Sequence, residues 1–193
     1  MAADLFAAAE AFTLGQEGGW ADNPADPGGA TMQGITLAVY RAWMHDPGVT
    51  PDQLKAISSD EVRAIYRGLY WNPVSGDRLR PGVGLLCFDA AVNLGVREAA
   101  KLLQACAGTA QDGVIGPATI ARANSANPAL LLRHYASARE SYYRSCAGFA
   151  EFGRGWLARS QACFAAAWRA AGLFPRISLG GSHASAQEPV PEP

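Results

Sequence analysis

Alanine occurs 38 times in this 193-residue chain, whereas valine, isoleucine and threonine together occur 21 times. Alanine gives up no side-chain entropy in a helix and β-branched residues do, so the ratio points to a mainly helical fold and excludes an all-β one. Hydrophobic residues make up 49% and charged residues 17%, enough apolar material for a core and too little charge for global disorder. A chain of this length forms one compact domain or two small ones.

Apolar residues recur at spacings of three and four. Leu5, Phe6, Ala9, Phe12 and Thr13 predict a first helix over residues 3–16, ended by Gly18-Gly19. Further helices are expected over 36–45, 51–57 and 59–71, the last opened by a Ser58/Glu61 capping box and stopped by Pro73. Leu85, Phe88, Val92 and Val96 predict a buried helix over 84–94, broken at Gly95 and resumed over 96–106. Pro117 opens another helix. Two long amphipathic helices follow, one carrying Leu131, Tyr135, Ala138, Tyr142 and Phe149 and the other Phe152, Trp156, Cys163 and Ala167, and they are expected to pair as a hairpin. Residues 175–193 are rich in Gly, Ser and Pro and are expected to form a flexible tail.

Residues 1–97 hold seven bases and eleven acids, net -4, whereas residues 98–176 hold nine bases and four acids, net +5. Such a split suits carboxylate chemistry in the first part and docking on a polyanion in the second, and equally suits the solvated faces of one domain. The bases form no aromatic-interleaved cluster, so no nucleic-acid partner is expected. No run of about 18 uncharged apolar residues exists, so no stable membrane insertion is expected. Asp4 precedes the first apolar run and no base does, the wrong pattern for a cleavable signal peptide; synthesis in the cytoplasm is expected. Cys87, Cys106, Cys146 and Cys163 form no CxxC pair, so neither a metal nor a cofactor is expected; four cysteines allow two disulfides, and buried free thiols in Ala-rich helices are the plainer reading.

The segment from Glu17 to Thr36, EGGWADNPADPGGATMQGIT, is dense in turn residues and lacks a helical period. It reads as a long specified loop or small hairpin, of the kind that carries function. Glu17 follows the first helix, whose C-terminal partial charge disfavours an ionised carboxylate, and Phe12 and Trp20 flank it; both effects raise its pKa and suit it to general acid work. Asp26 and Thr31 follow in a Glu-x8-Asp-x4-Thr spacing, which brings one protonated and one ionised carboxyl to opposite sides of a cleft, as glycosidic hydrolysis requires. Asp22 and Asp26 also fit plain Asx turns. A hairpin of this length is expected to hold Asp26 across the cleft with room for a water, which favours inversion at the anomeric carbon.

The same segment resembles the N-terminal signature of the glycoside hydrolase family 108 muramidases, with Trp20 where the family usually has Tyr. The blocks YWNP at 70–73 and FDAAVNLG at 88–95 are similar to that family too, and DGVIGPATIARAN at 112–124 resembles the start of the predicted peptidoglycan-binding region that follows such catalytic domains. The resemblance implies an α+β lysozyme-like fold, a helical bundle with a small β-hairpin lobe at the active site. It implies a catalytic region over 1–97 and a helical peptidoglycan-binding region over 98–174 packed on it. It implies cleavage of the β-1,4 bond between N-acetylmuramic acid and N-acetylglucosamine in the periplasm or cell wall. The family's catalytic Glu falls on Glu17, while Asp26 and Thr31 follow a looser analogy with phage lysozymes. Substrate contacts are expected at Trp20, Trp71, Asp89 and Asn93, the last two lying four apart on one helix face and suited to bracing as well as to a sugar.

The implied uses are lysis, release of phage or phage-like particles, and export of a cargo, with a holin-like or secretion partner and a monomeric enzyme acting on glycan strands. Two other classes share these features: a lytic transglycosylase, which manages with one Glu, and a non-catalytic peptidoglycan-binding protein.

Overall fold

The computed structural model describes residues 4–15, 18–22 and 29–173. Its order is α1 (Leu5–Leu14), a hairpin of β1 (Thr31–Met32) and β2 (Ile35–Thr36), then α2 (Leu37–Met44), α3 (Pro51–Lys55) and α4 (Ser59–Tyr66). There follow α5 (Pro81–Leu94), α6 (Val96–Ala107), α7 (Pro117–Ser125), α8 (Pro128–Ser145) and α9 (Phe149–Ala170). The fold is mainly α with one small antiparallel sheet among the described residues, the lysozyme-like architecture expected. The predicted tail falls outside the described residues.

Local chemistry sets most element ends. Asp4 caps α1 by accepting from the Ala7 N–H at 3.1 Å. The Ser58/Glu61 capping box forms in both directions, and Thr50 with Gln53 builds a second one on α3. Gly95 breaks the chain between α5 and α6 at φ 89°, and Pro117 opens α7 as expected. α8 and α9 pack on each other along their length as an antiparallel hairpin.

Three boundaries differ from the sequence reading. α1 stops at Leu14 with Gly15 as its cap, so Gly15 and not Gly18-Gly19 ends it. The expected helix over 59–71 changes pitch: after Tyr66 it widens into a π-helical turn over Arg67–Trp71, where the Asn72 N–H reaches the Arg67 carbonyl at 2.9 Å. α5 starts at Pro81, three residues early, because Gly82 serves close packing on Ala167 and does not break the helix. Its propensity cost is overridden by tertiary contact.

α5 is the central element. Every residue from Gly82 to Ala91 is buried, and the helix packs against α1, α6, α8 and α9. Phe6, Trp71 and Phe88 form a mutually tilted aromatic cluster with centroids 5.5 to 5.7 Å apart. One core cluster includes these three and also Leu131, Tyr135, Cys163 and Ala167 from the last two helices. The part before residue 98 and the helices after it therefore share one apolar interior.

Candidate active site

Within the Glu17–Thr36 segment, the described residues 18–22 and 29–36 include a small hairpin. Ala21 and Thr31 exchange two backbone hydrogen bonds of 3.0 and 2.8 Å, and Thr31 pairs in turn with Thr36. Ala21 and Thr31 are thus held side by side. Gln33 and Gly34 turn β1 into β2 with φ of 49° and 76°, the positive pair that a type I′ hairpin turn requires. The Tyr66 hydroxyl donates to the Gln33 carbonyl at 2.8 Å and pins this turn to α4. A groove of about 300 Å³ runs from α1 to the tip of the hairpin, with Glu10, Leu14, Gln33, Asp60 and Arg63 among its walls. Leu14, the last residue of α1, therefore lies beside the hairpin turn.

Glu17 and Asp26 lie outside the described residues. Thr31 occupies the base of the hairpin, half-buried, bonded through its backbone on both sides. Trp20 is half-exposed with the Lys55 ammonium 5.4 Å from its ring centroid, a cation–π contact that fixes one side of the indole. Asn93 is exposed, and its amide donates back to the Asp89 carbonyl at 2.7 Å.

Two expected substrate contacts are corrected. Trp71 has no exposed surface: its ring is clamped between Phe6 and Phe88, its indole N–H donates to Asp77 at 2.9 Å, and it anchors the core. Gly76 must be glycine for that reason, since a Cβ there would sit 2.3 Å from the indole. Asp89 is fully buried as well and meets protein groups instead of solvent. Its Oδ1 accepts from Thr13 Oγ1 at 3.2 Å and from Arg159 Nε and Nη2 at 3.2 and 2.9 Å. Its Oδ2 ion-pairs with Arg139 Nη2 at 2.7 Å. Bracing, the alternative that the spacing left open, is the role this geometry gives Asp89.

Burial opposes charge on Arg139, but the facing Asp89 carboxylate outweighs it and the guanidinium's pKa is raised. Arg139 also donates to the Tyr143 hydroxyl at 3.1 and 2.9 Å. Neither arginine was singled out from the sequence, although a signal was present. An acid on an apolar helix must find a cation, and Arg139 falls on the Leu131/Tyr135 stripe while Arg159 falls on the Trp156/Cys163 stripe. Two of the bases that gave the second half its positive charge are thus engaged inside the molecule.

Elsewhere on α1, Glu10 is 8% exposed and ion-pairs with Arg63, which also holds Asp4 at 2.8 Å. Burial raises the Glu10 pKa, against the pull of Arg63. No group of His, Cys, Asp and Glu suited to a metal ion occurs among the described residues.

A lysozyme-like α-fold with a hairpin lobe beside the end of its first helix, followed by a helical pair packed on the same core, defines a class of enzyme that cleaves glycans. Residues 11–95 match the family model described as glycosyl hydrolase 108, and residues 98–161 match the one described as predicted peptidoglycan domain. Among solved structures, the chain is similar to Brucella abortus SagA, at 37% identity and a TM-score of 0.78, over 86% of this chain and 95% of that one. None of the curated proteins searched gave a significant match. The chain belongs to the glycosyl hydrolase 108 family and carries a peptidoglycan domain behind its catalytic region. It is a glycoside hydrolase that acts on peptidoglycan, which places its work at the cell wall or periplasm. Among the described residues, no helix is long and apolar enough to cross a membrane.

Proposed function

We propose that the enzyme is a muramidase that hydrolyses the β-1,4 bond between N-acetylmuramic acid and N-acetylglucosamine. Glu17 is the general acid: it protonates the glycosidic oxygen as the sugar develops oxocarbenium character. Asp26, carried on the hairpin, guides the attacking water, and Thr31 at the hairpin base supports it. Trp20, held from one side by Lys55, offers the other part of its ring as a platform for a sugar.

The observation that carries this reading is the Ala21–Thr31 bridge. It ties the two ends of the segment bearing Asp26 together on a hairpin whose turn shares a groove with Leu14, at the end of the helix leading to Glu17. An acid after a helix end and a second carboxylate on a facing hairpin are the parts that hydrolysis of a glycoside needs.

In this proposal residues 1–97 carry the chemistry and residues 98–174 contribute wall affinity, while the protein works as a monomer made in the cytoplasm. Its uses are lysis, release of phage or phage-like particles, or passage of a secreted cargo, with a holin-like or secretion partner opening its route to the wall.

The test is digestion of purified sacculi by wild type and by Glu17→Gln, with products read by mass spectrometry. Hydrolysis gives reducing muramic ends, and the amide, isosteric but unable to donate the proton, abolishes them while sacculus binding persists. Anhydro-muramic ends, lighter by one water, would instead identify a lytic transglycosylase. An absence of cleavage by folded wild type would identify a binding protein, and turnover by folded Glu17→Gln would remove Glu17 from the acid's role.

A further inference from the structure

Asp89 joins the two halves of the molecule at one carboxylate, and the groups around it are asymmetric. On one side is Thr13, in the last turn of α1, whose hydroxyl donates to Oδ1 at 3.2 Å. On the other are Arg159 from α9, bonded twice to the same Oδ1, and Arg139 from α8, paired with Oδ2 and backed by Tyr143. Thr13, Asp89 and Arg139 have no exposed surface, whereas the Arg159 side chain is 15% exposed, so the cluster meets the surface at Arg159.

Arg139 neutralises the carboxylate from the Oδ2 side, whereas the hydrogen bonds to it come from Arg159 and Thr13 and all fall on Oδ1. Arg159 and Thr13 are thereby coupled through one atom. Oδ1 is fixed by two bonds from Arg159, and Thr13 donates to that fixed oxygen. Thr13 precedes Glu17 by four residues, which the chain can extend to no more than about 14 Å. Among the described residues, the Gly15 N–H reaches back to the Ala11 carbonyl at 3.3 Å, and the buried Thr13 hydroxyl is the side-chain group that ties this last turn of α1 to α5.

The geometry points to a positioning device: Arg159, acting through Asp89 and the Thr13 hydroxyl, holds the end of α1 in the register that presents the general acid. This inference rests on Glu17 being that acid. It makes the helical half part of the catalytic centre, because the residue that sets the acid's position comes from α9. Displacing a catalytic group by about 1 Å costs on the order of 10²-fold in rate, so the device should appear in kcat with little effect on KM.

Three conservative variants of the full chain test this, assayed on solubilised glycan strands beside wild type and Glu17→Gln. Thr13→Val removes the hydroxyl and keeps its shape. Arg159→Lys keeps the charge and removes the forked donation. Tyr143→Phe removes a hydrogen bond from the opposite, Arg139 side of the cluster. The expected result is a tenfold or greater loss of kcat for Thr13→Val and Arg159→Lys, with KM within twofold and Tm within a few degrees of wild type, and wild-type kcat for Tyr143→Phe. Wild-type kcat in folded Thr13→Val and Arg159→Lys would overturn the inference. So would equal losses in all three that follow Tm, the mark of a purely structural cluster. An active wild type with inert Glu17→Gln and unaffected Thr13→Val leaves the proposed chemistry standing and removes only the device; active Glu17→Gln removes the chemistry itself.

Discussion

A Cβ built on Gly82 would lie 2.4 Å from the carbonyl oxygen of Ala167, so α5 and α9 touch backbone to backbone where the two halves of the protein meet. The obstacle is main chain, which no rotamer change can remove. Gly82→Ala should therefore push the helices apart and lower stability by about 1 to 3 kcal/mol, despite alanine's better helix propensity. Urea unfolding followed by far-UV circular dichroism checks the sign: an unchanged or raised midpoint would mean that α9 slides away freely.

Arg139→Met should destabilise more than any single change on the exposed face of α8. Arg139 is fully enclosed and shares the Asp89 carboxylate with Arg159, so the variant leaves one of two cations and strands the Tyr143 hydroxyl. Breaking a buried pair from one side costs about 3 to 5 kcal/mol, with the low end expected because Arg159 remains. The control is Arg154→Met on the exposed side of α9, which should change the unfolding free energy by no more than about 0.5 kcal/mol.

Glu10 gives the protein a pH signature. Burial raises its folded-state pKa above the unfolded value, so the native state binds the proton more tightly than the unfolded chain. Its contribution is then fully present below the unfolded carboxylate range and is lost as pH rises through the folded pKa. Glu10→Gln lacks this loss. The difference in unfolding free energy, wild type minus variant, should fall as pH rises above the ordinary carboxylate range, and a difference that rises with pH would show that the Arg63 pair outweighs burial.

The four cysteines are free, as their Ala-rich helical setting suggested, and should divide by reactivity. Burial pushes the Cys87 thiol up to about 12 and Cys106 up to about 11, and raises Cys163 as well. A thiol kept protonated in apolar surroundings is a poor nucleophile. Brief alkylation of the native protein at pH 8, read by peptide mass spectrometry, should label Cys146 first and leave Cys87 and Cys163 untouched until denaturant is added. Native labelling of Cys87 would mean that α5 opens far below the global unfolding free energy.

What was legible in the sequence followed from local chemistry. Ser58 with Glu61, Gly95 and Pro117 act within a few residues of themselves, and the structure uses each as its chemistry dictates. The start of α5 at Pro81, ahead of the expected 84, was not legible because the reason for Gly82 lies in a partner about 85 residues later, Ala167. Trp71 was ambiguous for a similar cause. An aromatic before a proline can line a cleft or fill a core, and only the converging Phe6, Phe88 and Gly76 decide it. The hairpin was legible as a specified loop, since its turn residues carry their own geometry, whereas the Asp89 cluster needed three helices brought together before either arginine had a meaning.

The stereochemical outcome is the last expectation to test. A hydrolase with its two carboxyls about 6.5 to 9.5 Å apart admits a water between base and sugar and inverts, whereas about 5 to 5.5 Å permits direct attack and retention. The Ala21–Thr31 bridge ties together the residues on either side of the segment that bears Asp26. With Glu17 as the proposed acid and Asp26 as the proposed base, the length of that segment favours the wider separation. The first-formed product should therefore carry the α anomer, seen by proton NMR of the anomeric region within the first minutes of digestion, before mutarotation. A first-formed β anomer from the β-linked glycan would assign Asp26, or another carboxylate, to direct attack.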